Sequence, residues 1–327
     1  VSQEPGSKLL WAGLYPVLRS ISIEFSIENT EPLRIGSGAE GAKPGSPVDL
    51  PVYRQQVVLP NGSVINMPVI PGSSLKGVLR TASMILAESC GIHGVHSGVG
   101  DDNCVHKYID VRSFERLRKS GNIGLVRQII AGFCPTCLLY GAPSVSSRVN
   151  VSDLVPVGSV STSVKTGVGI NRRTGAAHRG ALYTVEFIEP GTRFQGLISA
   201  VNTPNWLLSL LAASLLLIGQ GWLKIGGFKS RGMGAVKIVE DSVRLVIRHD
   251  ATGKVLEALD EEIDQDEVLD TCQERSGGLV CSYDVLEKLS NLWHTRYCAL
   301  ARDKHVQRMN QVREYIKAME ASEGEAF

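Results

Sequence analysis

Nine residues, Gly226-Gly227-Phe228-Lys229-Ser230-Arg231-Gly232-Met233-Gly234, stand between an apolar segment and the strand-like run Ala235-Val236-Lys237-Ile238-Val239. Glycines let a backbone take positive φ and approach a ligand closely. Lys229 and Arg231 bring positive charge, and Ser230 and the backbone at Gly227 bring donors, all suited to phosphate oxygens. The spacing is neither that of a Walker A loop nor Gly-x-Gly-x-x-Gly. Taken alone, such a segment is also an ordinary turn before a strand. A second basic constellation is Pro71-Gly72-Ser73-Ser74-Leu75-Lys76-Gly77-Val78-Leu79-Arg80. It predicts a helix capped by Ser73 or Ser74, with Lys76 and Arg80 on one face four residues apart. The free N–H groups of such a helix start suit a phosphate; the plainer reading is a capped helix with two solvated cations.

Cys134-Pro135-Thr136-Cys137 offers two thiols at chelating spacing. Zinc would need two further ligands, and Cys104, His106, Cys90, His93 and His96 all lie upstream. Two buried thiols that simply pack are the alternative. Asp49 sits in Pro47-Val48-Asp49-Leu50-Pro51-Val52 and is the only acid between Glu40 and Glu88. An aspartate flanked by prolines commonly bonds its own turn.

The chain has 327 residues, 43% hydrophobic and 20% charged, with a net charge of +1. These values fit a globular protein of one elaborated domain or two. The near-neutral balance hides a basic middle over 148–237 and an acidic stretch over 257–270. A basic surface of this kind can face a polyanion. The longest apolar run, 206–218, is too short for a membrane span and reads as a core helix. With no export signal, the seven cysteines read as reduced thiols in a cytoplasmic protein, the three of the tail as plain core or surface thiols.

Alternation over 18–27 predicts a strand, followed by a Gly/Ser/Pro-rich loop over 36–47 and an extended segment to 59. The Pro60-Asn61-Gly62-Ser63 turn predicts a hairpin, and a helix covers 78–88. A second helix is expected over 113–130, strands near 149–155, and a hairpin pairing 182–188 with 193–201. A helix to 218, a strand over 235–247 and a charged helix over 284–320 follow. This order predicts an α+β chain with a ferredoxin-like core and long insertions. Residues 1–249 are expected to form the main domain, with insertions at about 36–60, 90–140 and 155–181, and residues 250–327 an acidic and helical C-terminal extension.

Four blocks in order resemble the RAMP superfamily, above all the repeated backbone subunit of type III (Csm- and Cmr-type) CRISPR effector complexes. They are 71–80; Cys134-Pro135-Thr136-Cys137-Leu138-Leu139-Tyr140-Gly141; Gly169-Ile170-Asn171-Arg172-Arg173-Thr174-Gly175-Ala176-Ala177 with Leu182-Tyr183-Thr184-Val185-Glu186; and 226–234. Nothing beyond about 250 takes part. The resemblance implies an RRM-like palm, a thumb hairpin over 161–181 and a lid or zinc-type subdomain. It implies CRISPR RNA, complementary target RNA, copies of the chain in a helical filament and other effector subunits as partners. It makes Ser73, Ser74, Lys76, Arg80, Arg172, Arg173, Arg179, Gly227, Lys229, Ser230 and Arg231 the RNA contacts. Asp49 falls where cleaving members keep a catalytic aspartate that works with Mg²⁺ or another divalent cation. Cys104 and His106 become the first choice to complete a structural Zn²⁺ site with Cys134 and Cys137. Some members have lost cleavage and only hold RNA. A guide-precursor endonuclease that needs no metal is a further alternative, and His178 its one candidate in the basic segment.

Overall fold

In the computed structural model, Ile21, Ile23, Phe25 and Ile27 of the first strand point to one face and are buried. The polar residues between them point to the other, as strand periodicity requires. The structure describes residues 7–13, 15–36, 48–58, 61–249, 251–275 and 277–324. The Gly/Ser/Pro-rich loop read over 36–47 therefore lies outside the described residues apart from Gly36.

Strands and helices come in runs along the chain. The first part holds β1 (Ser20–Asn29), β2 (Arg54–Val58), β3 (Val64–Pro68) and α1 (Gly72–Ser89). A helical lobe follows, with α2 (Cys104–Tyr108), α3 (Val111–Lys119), α4 (Ile123–Ala131) and α5 (Pro135–Tyr140). Then come β4 (Val149–Val151), β5 (Val155–Pro156), β6 (Thr162–Ile170), β7 (Ala177–Ile188), β8 (Arg193–Val201), α6 (Asn205–Gly219) and β9 (Val236–Arg248). The tail carries β10 (Ala251–Thr252), β11 (Val255–Leu256), β12 (Glu267–Val268), β13 (Gln273–Arg275), β14 (Gly278–Cys281), α7 (Asp284–Leu292) and α8 (Cys298–Gly324).

The central sheet runs β13-β14-β9-β1-β8-β4, with β5 also on β8. Its pairings are antiparallel. Taken in chain order, β1, α1, β4, β8, α6 and β9 form strand-helix-strand-strand-helix-strand, with the sheet order β9-β1-β8-β4. That is the ferredoxin-like arrangement within an α+β fold. Helices α1 and α6 pack together, joined by buried hydroxyls where Ser83 meets Ser214 at 2.8 Å and Tyr140 at 2.9 Å.

Helix α6 is apolar on nearly every side and is buried almost throughout, as such a helix must be. The tail supplies its outer cover. Helix α7 packs on α6, and Asp264 accepts the backbone N–H groups of Asn205 and Trp206 at 2.8 and 2.9 Å, capping the helix from outside its own sequence. Burial pushes the Asp264 carboxyl up to about 6 against the pull of those N–H groups. Arg308 of α8 then grips Asp260 with two bonds, of 2.9 and 2.6 Å. Residues past 250 extend the central sheet through β14 on β9 and close the core.

Several local expectations change. The helix expected over 113–130 is two, α3 and α4. Gly121 between them has φ +79°, and Asn122 caps the second by accepting the Leu125 N–H. Residues 182–188 and 193–201 do not pair with each other: β7 pairs with β6, and β8 with β1. Neither Ser73 nor Ser74 is the cap of α1. The helix starts at Gly72 after Pro71, and Asp153 accepts the Gly72 N–H at 2.7 Å. A Cβ at Gly72 would lie 2.2 Å from the Val151 carbonyl oxygen, so the glycine is there for close approach. The cysteines read as uniformly reduced are not. Cys90 is bonded to Cys298 and Cys272 to Cys281, with Cα separations of 5.6 and 4.3 Å, because the tail folds back onto the end of α1 and onto itself. Cys104, Cys134 and Cys137 stay free. Among the described residues no helix is long and apolar enough to cross a membrane.

The Asp260–Arg308 pair is buried on both sides, at 0% and 5% exposure. Removing one partner strands a buried charge, which typically costs about 3–5 kcal/mol. Arg308→Met is expected to lower the unfolding free energy by an amount of that order in urea titrations.

Candidate nucleic-acid interface and metal centre

Asp49 is positioned by strand β7. Leu50 donates its N–H to the Thr184 carbonyl at 3.0 Å, and Glu186 donates its N–H to the Leu50 carbonyl at 3.0 Å. The 49–52 segment therefore lies parallel to the root of β7. The Val52 N–H donates to the Glu186 carboxylate at 3.0 Å. The Arg54 guanidinium grips that carboxylate at both oxygens and holds it below the usual range. Asp49 itself is exposed. Its N–H donates to the Thr184 hydroxyl at 2.9 Å, while Oδ2 accepts the Thr184 N–H at 2.7 Å and the hydroxyl at 2.9 Å. The Thr184 N–H, then its hydroxyl, hold the Asp49 carboxyl below its ordinary value. The result is an ordered, ionised, exposed carboxylate.

The 226–234 loop folds against the same strand. Gly226 has φ +82°, and a Cβ there would sit 2.2 Å from the Arg34 carbonyl. Phe228 takes the left-handed conformation at φ 58°. Its ring stacks on Tyr183 with centroids 6.4 Å apart. The Arg34 and Arg231 guanidinium carbons lie 5.4 and 5.3 Å from its centre. Arg231 donates to the Tyr183 hydroxyl at 2.8 Å. An open cleft lined by Leu50, Gly167, Val168, Tyr183, Phe228 and Arg231 joins this cluster to the segment that carries Asp49. Lys229 and Ser230 are exposed on the loop, and Gly227 donates its N–H to the Arg34 carbonyl at 2.8 Å.

Strands β6 and β7 form a two-stranded ribbon turned through Asn171, whose carbonyl accepts the Gly175 N–H at 2.8 Å. Arg172, Arg173 and Arg179 are exposed at its end. Val168 and Leu182, directly opposed, are 47% and 69% exposed. The His178 Nδ1 lies 2.9 Å from the Arg179 carbonyl, a contact within the ribbon.

Helix α1 places its cations elsewhere. Lys76 donates to the Ser147 hydroxyl at 2.9 Å; burial, then the nearby Arg80, pull its ammonium below the usual lysine value. Arg80 donates to the carbonyls of His96 and Gly141 at 3.2 and 3.3 Å and approaches the Cys137 sulfur at 3.7 Å. Its guanidinium therefore braces the helical lobe. Ser73 is exposed and Ser74 half-buried in the first turn, while Asp153 already occupies the N–H of Gly72.

The lobe is built around four buried donors, His96, Cys104, Cys134 and Cys137, whose ligand atoms all lie within 4.8 Å of one another. The His96 Nδ1 is 3.4 Å from both the Cys134 and Cys104 sulfurs. Three sulfurs and one imidazole at such spacing match a closed tetrahedral zinc shell, in which Zn–S distances near 2.3 Å set donor separations of about 3.5–4 Å. Burial pushes the Cys104 thiol well up. It acts the same way on Cys134, but bonds from Cys104, Cys137, His96 and Thr136 outweigh it and hold that thiol well below its ordinary value. A divalent cation would stabilise the thiolate form of all three cysteines. The cluster can hold a structural metal such as zinc.

Three of the four expected ligands come together, and the fourth is His96 in place of His106. Asn103 caps α2 by accepting the His106 N–H at 3.0 Å, which sets Cys104 inward at the first helical position. Residues two apart in a helix face different sides, so His106 turns away, with its Nε2 3.2 Å from Asp101. Tyr183, Phe228 and Arg34, which complete the Arg231 cluster, escaped the sequence reading. The aromatic positions inside the Gly-rich block and inside Leu182-Tyr183-Thr184 were the available signal; for Arg34 there was none.

Purified chain is expected to carry about one zinc by elemental analysis. His96→Ala should lose it and lower the melting temperature, whereas His106→Ala should keep both. Retention of zinc by His96→Ala would remove that residue from the shell.

No curated protein matches the chain. The RAMP superfamily matches residues 26–237, which run from the end of β1 to the start of β9 with the ribbon, the Gly-rich loop and the helical lobe between them. The chain belongs to the RAMP superfamily.

Proposed function

We propose that this protein is a CRISPR RNA-binding backbone subunit of a type III effector complex, and that it cuts target RNA paired with the guide. Family membership points to CRISPR-associated RNA binding. The observation that carries the finer reading is the meeting of three features at the root of β7: the ionised Asp49, the Arg231–Phe228–Tyr183 cluster and the ribbon. Arg and Lys contacts to phosphates give affinity without reading sequence. That suits a subunit whose specificity is delegated to base pairing. The exposed Val168 and Leu182 suit a wedge between bases, as apolar side chains serve in other nucleic-acid complexes. Copies of the chain along the guide would then present the ribbon and Asp49 at regular intervals.

The chemistry fits a single carboxylate. Asp49 is ionised, ordered and exposed, so it can offer an oxygen to a divalent cation, with RNA oxygens and water as the remaining ligands. Such a cation, when bound, stabilises charge developing on the phosphate. The ribbon and loop hold the strand so that a ribose 2′-hydroxyl lines up with the adjacent phosphorus. No His or second carboxylate is bonded to Asp49 among the described residues, so the chain sets no general base directly against it. A non-cleaving scaffold is the second reading. The three bonds between Asp49 and Thr184 favour it, since they would anchor the loop even without catalysis.

The assembled complex is expected to cut labelled complementary RNA into a regular ladder with Mg²⁺ and not in EDTA. Products should end in a 2′,3′-cyclic phosphate and a 5′-hydroxyl. A single 2′-deoxy sugar should abolish cutting at that position only. Asp49→Asn keeps the shape and removes the charge, so cleavage should fall by orders of magnitude while RNA binding and assembly persist. Full activity of Asp49→Asn would refute the catalytic role and leave the scaffold.

A further inference from the structure

The guanidinium of Arg80 ends in the helical lobe, and no carboxylate is bonded to it among the described residues. It donates through Nε to the His96 carbonyl at 3.2 Å, through Nη1 to the Gly141 carbonyl at 3.3 Å and through Nη2 to the Cys137 sulfur at 3.7 Å. By contrast, Arg308, Arg54 and Arg296 each meet an acid, respectively Asp260, Glu186 and Glu267. Lys76, one turn earlier on α1, lies close enough for the two cations to oppose each other. A half-buried cation in that position calls for negative charge from another source. Cys137 is the one bonded partner that can supply it, as a thiolate.

The lobe is shaped to admit this guanidinium. Gly98, two residues past His96, has φ +76°, and a Cβ there would lie 2.3 Å from the Arg80 guanidinium. Only glycine combines that φ with that approach at no cost. The Ser97 N–H and hydroxyl donate to the Asp102 carboxylate at 2.8 and 2.6 Å, and the Gly98 N–H donates to the Asp102 carbonyl at 2.8 Å. The loop that carries His96 is thereby fixed with Arg80 against it. The other two sulfurs meet neutral groups. The Cys134 N–H donates to the Cys104 sulfur at 3.2 Å, and the Thr136 hydroxyl lies 3.3 Å from the Cys134 sulfur. No other Lys or Arg is bonded to a sulfur of the cluster among the described residues. Three thiolates and a neutral imidazole around a divalent cation leave one net negative charge. One arginine at one sulfur matches it.

We propose that Arg80 is a positioning residue of the metal centre, which donates to the Cys137 thiolate, orients His96 through its carbonyl and offsets the net negative charge of the loaded cluster. Hydrogen bonds from outside a metal's ligand set fix the direction of the ligands and tune their donor strength. Arg80 reaches two of the four ligands at once. The centre is then joined to α1, a helix of the ferredoxin-like core, and not only to its own lobe. This role presupposes metal in the cluster and is independent of RNA binding. It gives to the metal centre a cation that the family resemblance places on RNA.

The test uses the full chain and two readouts: zinc affinity by competition with a chromophoric chelator, and the thiolate-to-cobalt charge-transfer band of the cobalt(II)-loaded chain. Arg80→Met should weaken zinc by about 10–100-fold, the range usual when a metal ligand loses its outer partner. It should also move the band to longer wavelength, because the Cys137 sulfur loses a hydrogen bond. Arg80→Lys keeps the charge and should recover part of the affinity. Lys76→Met, one turn away on the same helix, should leave zinc affinity and the band unchanged. Thermal unfolding checks that each variant is folded; if Arg80→Met is not, Arg80→Gln, which also removes the charge, is read in its place with the same expectation. A fall in affinity with the band unmoved marks a merely structural role and overturns the pairing with Cys137. Wild-type zinc affinity and an unmoved band would overturn the role of Arg80 and leave the metal centre standing; weakened RNA binding beside them would return Arg80 to the RNA contacts. A wild-type chain that takes up neither zinc nor cobalt would overturn the metal reading itself.

Discussion

The root of strand β7 is the joint on which the candidate site depends. Between Tyr183 and Ile188 it pairs with β6 on one side. On the other it takes the 49–52 segment and Leu33, which exchanges two backbone bonds of 2.9 and 2.8 Å with Ile188. The side chains of the same few residues finish the work. Thr184 fixes Asp49, Glu186 fixes Val52 and Arg54, and Tyr183 fixes Arg231 and stacks on Phe228. Three chain segments far apart in sequence are thus registered to within one residue. A slip of one position in that pairing would turn Thr184 to the opposite face and release Asp49.

Stability comes from the other end of the molecule. Two helices over a sheet leave the outer side of α6 bare, and α6 is too apolar to face water. The tail answers this with α7 and with Asp264 at the helix start. The buried charge of Asp260 is then matched by Arg308, whose guanidinium also lies 5.6 Å from the Trp11 ring. Arg148 lies 5.4 Å from the same ring. The N-terminal turn, the sheet and the tail therefore meet at Trp11. The Cys90–Cys298 bond fastens the end of α1 to the start of α8.

Legibility followed the range of the determining interactions. Strand β1, helix α6 and strand β9 show in their apolar period because each answers to one face or to full burial. The ribbon partner of β7 did not show, since 182–188 and 193–201 look equally suited to pair across a turn. What separates them is that β8 is needed beside β1, a demand of the whole sheet. The surroundings of Arg80 were hidden for a similar reason. Its position on α1 is legible, but the carbonyls of His96 and Gly141 that take its guanidinium come from a lobe whose path local pattern does not reveal. His96 against His106 was decidable locally, because a cap at Asn103 makes Cys104 and His106 diverge. The tail's role was hidden by its charge: the acids of 257–270 look solvated until Arg308 and the start of α6 are placed against them.

The open face of the sheet bears on why the proposed interface is placed at its edge. In RRM-type recognition that face carries aromatic residues on which bases stack. Here β1 presents Ser22, Glu24 and Glu28, and β8 and β9 present Arg193, Lys237 and Arg244. These side chains neutralise one another: Glu28 meets Arg193 at 2.9 Å and Lys237 at 2.8 Å, and Glu24 meets Arg244 at 3.6 Å. Lys237, then Arg193, hold the Glu28 carboxyl below its ordinary value. A face with its charges already matched and no stacking platform has little to offer RNA. Arg34 and Arg231, which have no carboxylate partner among the described residues, sit instead at the ring of Phe228 beside the ribbon. On the proposed function, nucleic-acid contacts would fall not on the sheet but on the connections at one edge, where glycines permit close approach of the backbone.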